Sequence, residues 1–235
     1  MCKYKKNIVY LQTKTEKNYF MAKKQLWHDD YWLLLMQQYL RRPVGIKPTY
    51  SRGMVELSME LHIAPEELHE RMGDIARLRT PRIELIWQEY GENPRRLKRA
   101  VQLLRQMTGF NSGGDFYEGV DIQETFEVDF RPVAEDERLT PVMLILILDL
   151  YFRLTPITMV SETPEVQELA RLIHIPTSLV VDVFDVYQHC DPYLNRKDVC
   201  FNPLMLPCQQ IWQRYGNGDT RQLADYAEQL KAYFK

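Results

Sequence analysis

Five basic residues on one predicted helix are the first candidates for chemistry in this chain. Leu97, Val101 and Leu104 have the spacing of a buried helical face, so the cations between them lie largely outside it. A row of Arg and Lys on an exposed face can contact the phosphates of double-stranded DNA, although an ordinary solvated helix carries the same residue types. The candidates are Arg95, Arg96, Lys98, Arg99 and Arg105.

A second group of residues raises the question of a zinc site. Cys190, Cys200 and Cys208 occur together with His189. The group contains no Cys-x-x-Cys pair, and the adjacent side chains of His189 and Cys190 point apart. We therefore interpret the cysteines as reduced residues, with zinc as the alternative, and expect no metal or cofactor.

Tryptophan and histidine each recur at matched places along the chain. Trp87 and Trp212 are each followed three residues later by a tyrosine, which is compatible with base stacking but more typical of core packing. His62 and His174 each close a predicted helix, where carbonyl groups and the helix dipole can satisfy them. We expect structural roles for all four residues.

Sequence motifs of catalysis are missing. The chain has no glycine-rich phosphate loop, no nucleophile elbow, no paired His-x-x-x-His and no clustered histidine and asparagine of the HNH type. We therefore expect a protein that is not an enzyme and has no evident small-molecule substrate.

The helices that position these residues can be predicted from two similar stretches of the sequence. Residues 39–63 align without a gap on residues 151–175, and residues 86–91 recur at 211–216 with five identities in six. We interpret this as a duplication, because the repeated length suits a small domain better than a solenoid unit. Helical spacing and prolines at helix starts predict an all-α protein of two five-helix domains, the first unit (29–107) and the second unit (140–235).

An acidic linker is predicted between the units, at residues 108–139, where nine acidic residues face two basic ones. We expect it to dock on the more basic first unit through Phe116, Tyr117, Phe126 and Phe130. The second unit also holds a 13-residue insertion before its fourth helix. Residues 191–207 should form an extended loop there, packed by Tyr193, Leu194, Phe201 and Leu204.

The N-terminal segment is predicted to be a basic and poorly ordered leader over residues 1–28, with Met21 as an alternative start. Its apolar stretch is too short for a secretory signal, and the longest apolar run, residues 141–148, is too short for a membrane helix. We expect a cytoplasmic protein without a membrane partner.

The second and third helices of each unit have the pattern of a helix-turn-helix. In the first unit the presumed reading helix carries Glu66, Glu67, Glu70 and Asp74, which does not suit a groove lined by phosphates. In the second unit the helix at 177–190 is apolar, and Val180, Val181 and Phe184 are candidates for contact with a partner protein or a second subunit.

The order of these helices resembles the region that precedes the nuclease domain in some bacterial HNH endonucleases, and uncharacterised bacterial proteins built from that region alone. The resemblance is carried by Leu150-Tyr151, by Pro164 to Ala170, by Cys190-Asp191-Pro192 and by Trp212. It implies a helix-turn-helix-like, DNA-associated module with no catalytic residue to transfer.

Two functions follow as hypotheses. The protein is a DNA-associated regulatory module that uses the basic face of the first unit, or it is a protein-interaction adaptor that uses helix 177–190. The resemblance and the basic helix favour DNA, whereas the acidic and apolar third helices and the net charge of −2 favour the adaptor.

Overall fold

The computed structural model describes residues 27–107, 110, 126–194, 196 and 201–235. Ten α-helices occur within these ranges, which contain no β-strand, so the all-α prediction is confirmed. The first unit holds α1 (Tyr31–Leu40), α2 (Arg52–Leu61), α3 (Pro65–Ala76), α4 (Pro81–Tyr90) and α5 (Pro94–Gln106). The second holds α6 (Pro141–Arg153), α7 (Pro164–Leu172), α8 (Thr177–Cys190), α9 (Met205–Ile211) and α10 (Thr220–Leu230).

Shorter helical turns complete the described chain. A π-helical turn, Trp212–Gly216, continues α9, and 3₁₀ turns form at Phe126–Phe130, Pro156–Thr158 and Lys231–Tyr233. None of the described helices is long and apolar enough to cross a membrane.

Proline and side-chain caps set the helix starts. Proline occupies the first position of α3 to α7, where its missing N–H group has no helical partner to lose. The hydroxyl groups of Thr80 and Thr140 accept hydrogen bonds from the backbone of Ile83 and Met143, and Asp219 accepts one from Arg221. Asn93, predicted as a cap of α5, makes no such side-chain bond.

Two apolar cores lie in the structure. The first unit's core includes Leu34 of α1 and Leu68 of α3, and α5 closes it with Leu97 and Val101. The second core is built around α6, whose residues 144–148 are all buried because helices pack on both of its sides.

The turn between the second and third helices has the same backbone form in both units. His62 (φ 54°) and His174 (φ 59°) are both left-handed, and the next residue donates its N–H to a carbonyl five positions earlier. Their side chains differ, since His174 is exposed whereas Nδ1 of His62 lies 2.7 Å from Oε1 of Glu127. His62 therefore has a carboxylate partner that its position at a helix end did not predict.

Residues 126–139 contact both units. Phe130, Val133 and Leu139 belong to the second core, whereas Glu127 reaches His62 in the first unit. Charge led us to prefer the first unit as the docking partner, but the aromatic and aliphatic residues of this segment pack on the larger apolar surface of the second unit. Phe116 and Tyr117 lie outside the described residues, as does most of the predicted leader.

The inserted loop is not packed as predicted. Leu204 is buried at 5% exposure, but Tyr193 and Phe201 are 93% and 92% exposed. The prediction that both aromatic rings cover the second unit is therefore wrong. Both rings are instead exposed on the surface of the protein.

Candidate nucleic-acid interface

Helix α5 is held by a narrow apolar seam. Leu97, Val101 and Leu104 are buried against the core that α1 and α4 complete. Because these residues recur every three or four positions, they cover one side of the helix only. The remaining positions of α5 face outward, and the five predicted basic residues are all exposed.

Two of the five cations are engaged by carboxylates of the same unit. The guanidinium of Arg105 donates to both oxygens of Glu60, at 2.5 and 2.7 Å, and this interaction raises the pKa of Arg105. Arg96 donates to Glu89 at 2.6 Å and lies 5.5 Å from the centre of the Tyr90 ring. These two side chains have local structural partners and contribute less to an external field.

The other three cations, Arg95, Lys98 and Arg99, form what we call the cationic row. Within the described part of the chain they have no ion-pair partner. Arg95 and Arg99 are four positions apart, so they lie one above the other, about 6 Å apart along the helix axis. The row therefore presents three adjacent positive charges to solvent on one convex surface.

Helix α3 does not present a base-reading surface. Leu68, Met72 and Ile75 face the core, and the exposed positions include Glu66 and Glu70. The basic side chains of this helix are used internally, since Arg71 pairs with Glu67 at 2.8 Å and lies 4.1 Å over the ring of Trp27. The acidic residues that the sequence places on this helix, Glu66 and Glu70, therefore lie on its outward surface.

Helix α8 requires a correction of the partner-contact prediction. Val180 and Phe184 are 0% and 1% exposed, and Val181 is half-buried. Its apolar residues are therefore core residues of the second unit. The hydroxyl of Tyr187, one turn beyond Phe184, donates to the carbonyl of Leu144 at 2.9 Å, and burial raises the pKa of Tyr187.

The recurring tryptophans pack against tyrosines in their own units. Trp87 meets Tyr39 edge-on at 5.9 Å and 74°, and Trp212 meets Tyr151 at 5.8 Å and 76°. Trp212 is 6% exposed and Trp87 is half-buried. This geometry supports core packing and leaves neither indole face arranged for a base.

The cysteines lie partly outside the described residues. Cys208 is fully buried and Cys190 half-buried, whereas Cys200 belongs to the segment that the structure does not describe. Nδ1 of His189 lies 2.8 Å from the carbonyl oxygen of Asp185. Among the described residues, no group of three His, Cys, Asp or Glu side chains is placed to hold a metal ion.

Two contacts of the second unit, one with residues 126–139 and one with the first unit, were not predicted. Arg214 donates to both oxygens of Asp129 at 2.7 Å, and this interaction raises the pKa of Arg214. Tyr50 of the first unit packs edge-on against Tyr226 at 5.7 Å. The available signal was that Arg214 and Tyr226 replace Glu89 and Ala100 at otherwise matched positions.

No family model matches this chain, and neither a curated protein nor a solved structure matches it. The function is therefore argued from the geometry above.

Proposed function

We propose that this protein is a non-catalytic, tandem helix-turn-helix-like module that associates with DNA through the cationic row of α5. The observation that carries the proposal is the exposure of Arg95, Lys98 and Arg99 without an ion-pair partner in the described residues. Three such charges on a convex surface suit contacts to a phosphate backbone.

The position of the row strengthens the argument. Arg95 and Arg96 occupy the first turn of α5, at the positive end of the helix dipole, where a cation is unfavourable by about 0.3–1 kcal/mol. Asn93 makes no side-chain bond to the first-turn N–H groups. A bound phosphate would offset both the repulsion and the missing cap, because helix N-termini and arginines both favour anions.

Base-specific reading is not part of the proposal. The outward surface of α3 carries Glu66 and Glu70, and α8 is largely buried. Association through phosphates alone is independent of sequence and depends strongly on salt. We therefore propose a regulatory or architectural role for this module.

We further propose that the two units arose by duplication and that only the first retains the phosphate-contacting surface. The matched left-handed histidines and the matched Tyr–Trp contacts support common ancestry. Arg221, Ala224 and Asp225 align with the cationic row. Arg221 keeps a cation at the first of these positions, whereas Ala224 and Asp225 do not. The scaffold therefore does not need Lys98 and Arg99, which is expected of residues kept for contact with a ligand.

Fluorescence anisotropy with a labelled random duplex over a series of salt concentrations tests the proposal. The matched pair of variants changes Arg95, Lys98 and Arg99 to Ala in one protein and Arg221 to Ala in the other. Each lost phosphate contact reduces the slope of log K against log salt by about 0.9. The slope of the first variant should therefore be smaller by about 2.7 than that of the parent, and the slope of the second variant should be unchanged. Absence of binding at low salt, or equal slopes in both variants, would overturn the proposal.

The inserted loop favours a second candidate, a protein-interaction adaptor. The observation is the near-complete exposure of Tyr193 and Phe201, with Leu206 at 57%. Exposed aromatic rings are typical anchors of protein interfaces. This surface replaces helix 177–190 as the partner-contacting part of the adaptor hypothesis.

A protein in which Tyr193 and Phe201 are changed to Ser tests this second candidate. It should keep the unfolding midpoint of the parent and lose the partner that copurifies with the parent from the native host. Retained copurification would reject this candidate.

A further inference from the structure

The two units use the same part of their scaffold differently. In the second unit, the surface of the π-helical turn and α10 is covered by the first unit and by residues 126–130. Tyr226 packs on Tyr50, and Tyr233 meets the ring of Phe130 at 5.2 Å. This covered surface shows which side of a unit accepts a neighbour.

The aligned surface of the first unit is largely exposed. Ala100 and Met107 stand at the positions of Tyr226 and Tyr233. Met107 is 60% exposed, and Leu103, one helical turn before it, is 64% exposed. Arg96 and Arg99 continue the same stripe toward the start of α5, so we call these four residues, Arg96, Arg99, Leu103 and Met107, the open face.

The part of the first unit that contacts the second is the corner before α2 together with the start of that helix, which provide Tyr50, Arg52 and Val55. Arg52 lies 5.9 Å from the centre of the Tyr233 ring. The aligned corner of the second unit precedes α7, and its apolar side chains are exposed: Ile157 at 87% and Val160 at 41%.

This second corner is also acidic. Glu162 and Glu165 are exposed and have no ion-pair partner within the described residues. We call Ile157, Val160, Glu162 and Glu165 the acidic corner. It combines an apolar tip with two negative charges. The open face combines two apolar residues with Arg99 and with Arg96, which pairs with Glu89 of its own unit.

We propose that the acidic corner of one molecule docks on the open face of a second copy of this chain. Both surfaces are exposed in the same molecule, so the contact joins separate chains. It repeats between molecules the contact of Tyr50 with Tyr226 within one molecule. By the alignment, Glu162 takes the place of Tyr50 and lies over Ala100, which takes the place of Tyr226. Arg96 and Arg99 flank Ala100 on α5, so the charges of the two surfaces are complementary. The partners use different surfaces, so a pair of joined chains keeps one free surface of each kind, and further chains add as the concentration rises.

Sedimentation velocity measures this association directly. The full chain of 28.0 kDa should show a weight-average mass that rises beyond twice the monomer as concentration increases. A range of roughly 5 to 500 µM brackets the weak affinity expected of a small interface. High salt should reduce the mass, because the charged contacts are exposed.

Two variants and their mixture separate this contact from other modes of assembly. One variant changes Leu103 and Met107 to Glu, and the other changes Ile157 and Val160 to Lys. Each alone should remain a monomer because it lacks one of the two surfaces. Mixed in equal amounts they should form a species of two chains and no larger one, because each provides the surface that the other has lost.

Several outcomes overturn the proposal. A parent that stays monomeric throughout the concentration range, or variants that assemble as the parent does, would reject the contact. A mixture that stays monomeric would also reject it. All four changed positions are exposed, and equal unfolding midpoints of the variants and the parent establish that loss of assembly is not loss of fold.

Discussion

The outer surfaces of α5 and α10 differ more than the helices themselves. Both helices bury three apolar residues at the same spacing: Leu97, Val101 and Leu104 in α5, and Leu223, Ala227 and Leu230 in α10. Outside this seam α5 carries exposed cations, whereas α10 carries Tyr226, which is packed against the other unit. The seam fixes the helix in its unit, and the residues outside it decide whether the surface is covered or open.

The ion pairs of the two regions show the same difference. Asp129 and Arg214 form a bidentate pair in which the carboxylate side chain is 9% exposed. Glu89, which aligns with Arg214, pairs with Arg96 while the two side chains are 44% and 61% exposed. The first pair joins residues 126–139 to the second unit, and the second lies on an open surface where water competes for both charges.

The largest expected effects come from the aligned core residues Leu34 and Leu146. Each is 1% exposed, and replacement of either by Ala should reduce the free energy of unfolding by about 2–5 kcal/mol, because a cavity remains in a packed core. Urea denaturation followed by circular dichroism measures both values.

The shape of these transitions also tests the contact between the units. Because Tyr50 and Val55 of the first unit belong to the second core, both variants should unfold in one transition. A separate, earlier transition in either variant would show that the units unfold independently. Leu85→Ala is the matched control, since this residue is 58% exposed.

The pair of Asp129 and Arg214 should give the next largest effect. Hydrogen bonds to charged groups contribute about 1.5–3 kcal/mol, and removal of one partner leaves the other without its counter-charge. We expect Asp129→Ala and Arg214→Ala to destabilise the protein by similar amounts. The double variant should be less destabilised than the sum.

A double-mutant cycle from urea denaturation measures the coupling between these two side chains. Additive effects of the two substitutions would contradict the view that this pair couples residues 126–139 to the second unit. The same cycle for Arg138 and Asp136, an exposed pair two positions apart, provides a comparison.

The two glycines that follow the aligned tryptophans, Gly91 and Gly216, should give smaller losses of stability that differ between the units. A Cβ atom at Gly216 would lie 2.6 Å from Cδ2 of the buried Trp212, so Gly216→Ala should cost about 1–3 kcal/mol through overpacking. At Gly91 the indole ring of Trp87 is 3.3 Å away and half-exposed, and the nearest atom is the carbonyl oxygen of Trp87 at 2.6 Å. We expect a smaller loss from the ring contact there, because the half-buried indole of Trp87 can rotate away, while the contact with its carbonyl oxygen remains. Equal losses in thermal unfolding would show that the two hairpins are packed equally tightly.

The sequence was sufficient for the helices but not for the contacts between them. Proline at helix starts and the spacing of residues such as Leu97 and Val101 are local signals, and α4 and α5 begin at the predicted residues. Phe201 and Val180 were assigned the wrong environment for a different reason. Both are large apolar residues, and only the packing of the whole unit decides that Val180 is buried and Phe201 exposed.

The same limit applies to the candidate interface. The five cations were correctly placed outside the core, because that depends on helical spacing. That Arg96 and Arg105 have carboxylate partners could not be predicted, since Glu60 is 45 positions from Arg105 and meets it only in the folded unit. The contact of Asp129 with Arg214 spans 85 positions and has the same cause.

The smallest expected effect on stability is that of the exposed pair Glu89 and Arg96. Glu89→Gln should change the free energy of unfolding by no more than about 1 kcal/mol, because solvent screens both charges. Its effect on DNA association should be larger than its effect on stability, since it frees the guanidinium of Arg96 beside the cationic row and removes a negative charge. Anisotropy at fixed salt should show tighter binding, and the steeper salt dependence should vanish when Arg96 is also changed to Ala. Unchanged affinity in Glu89→Gln would place the DNA contacts on the far side of α5, toward Lys98, and so decide which edge of the helix faces the phosphates.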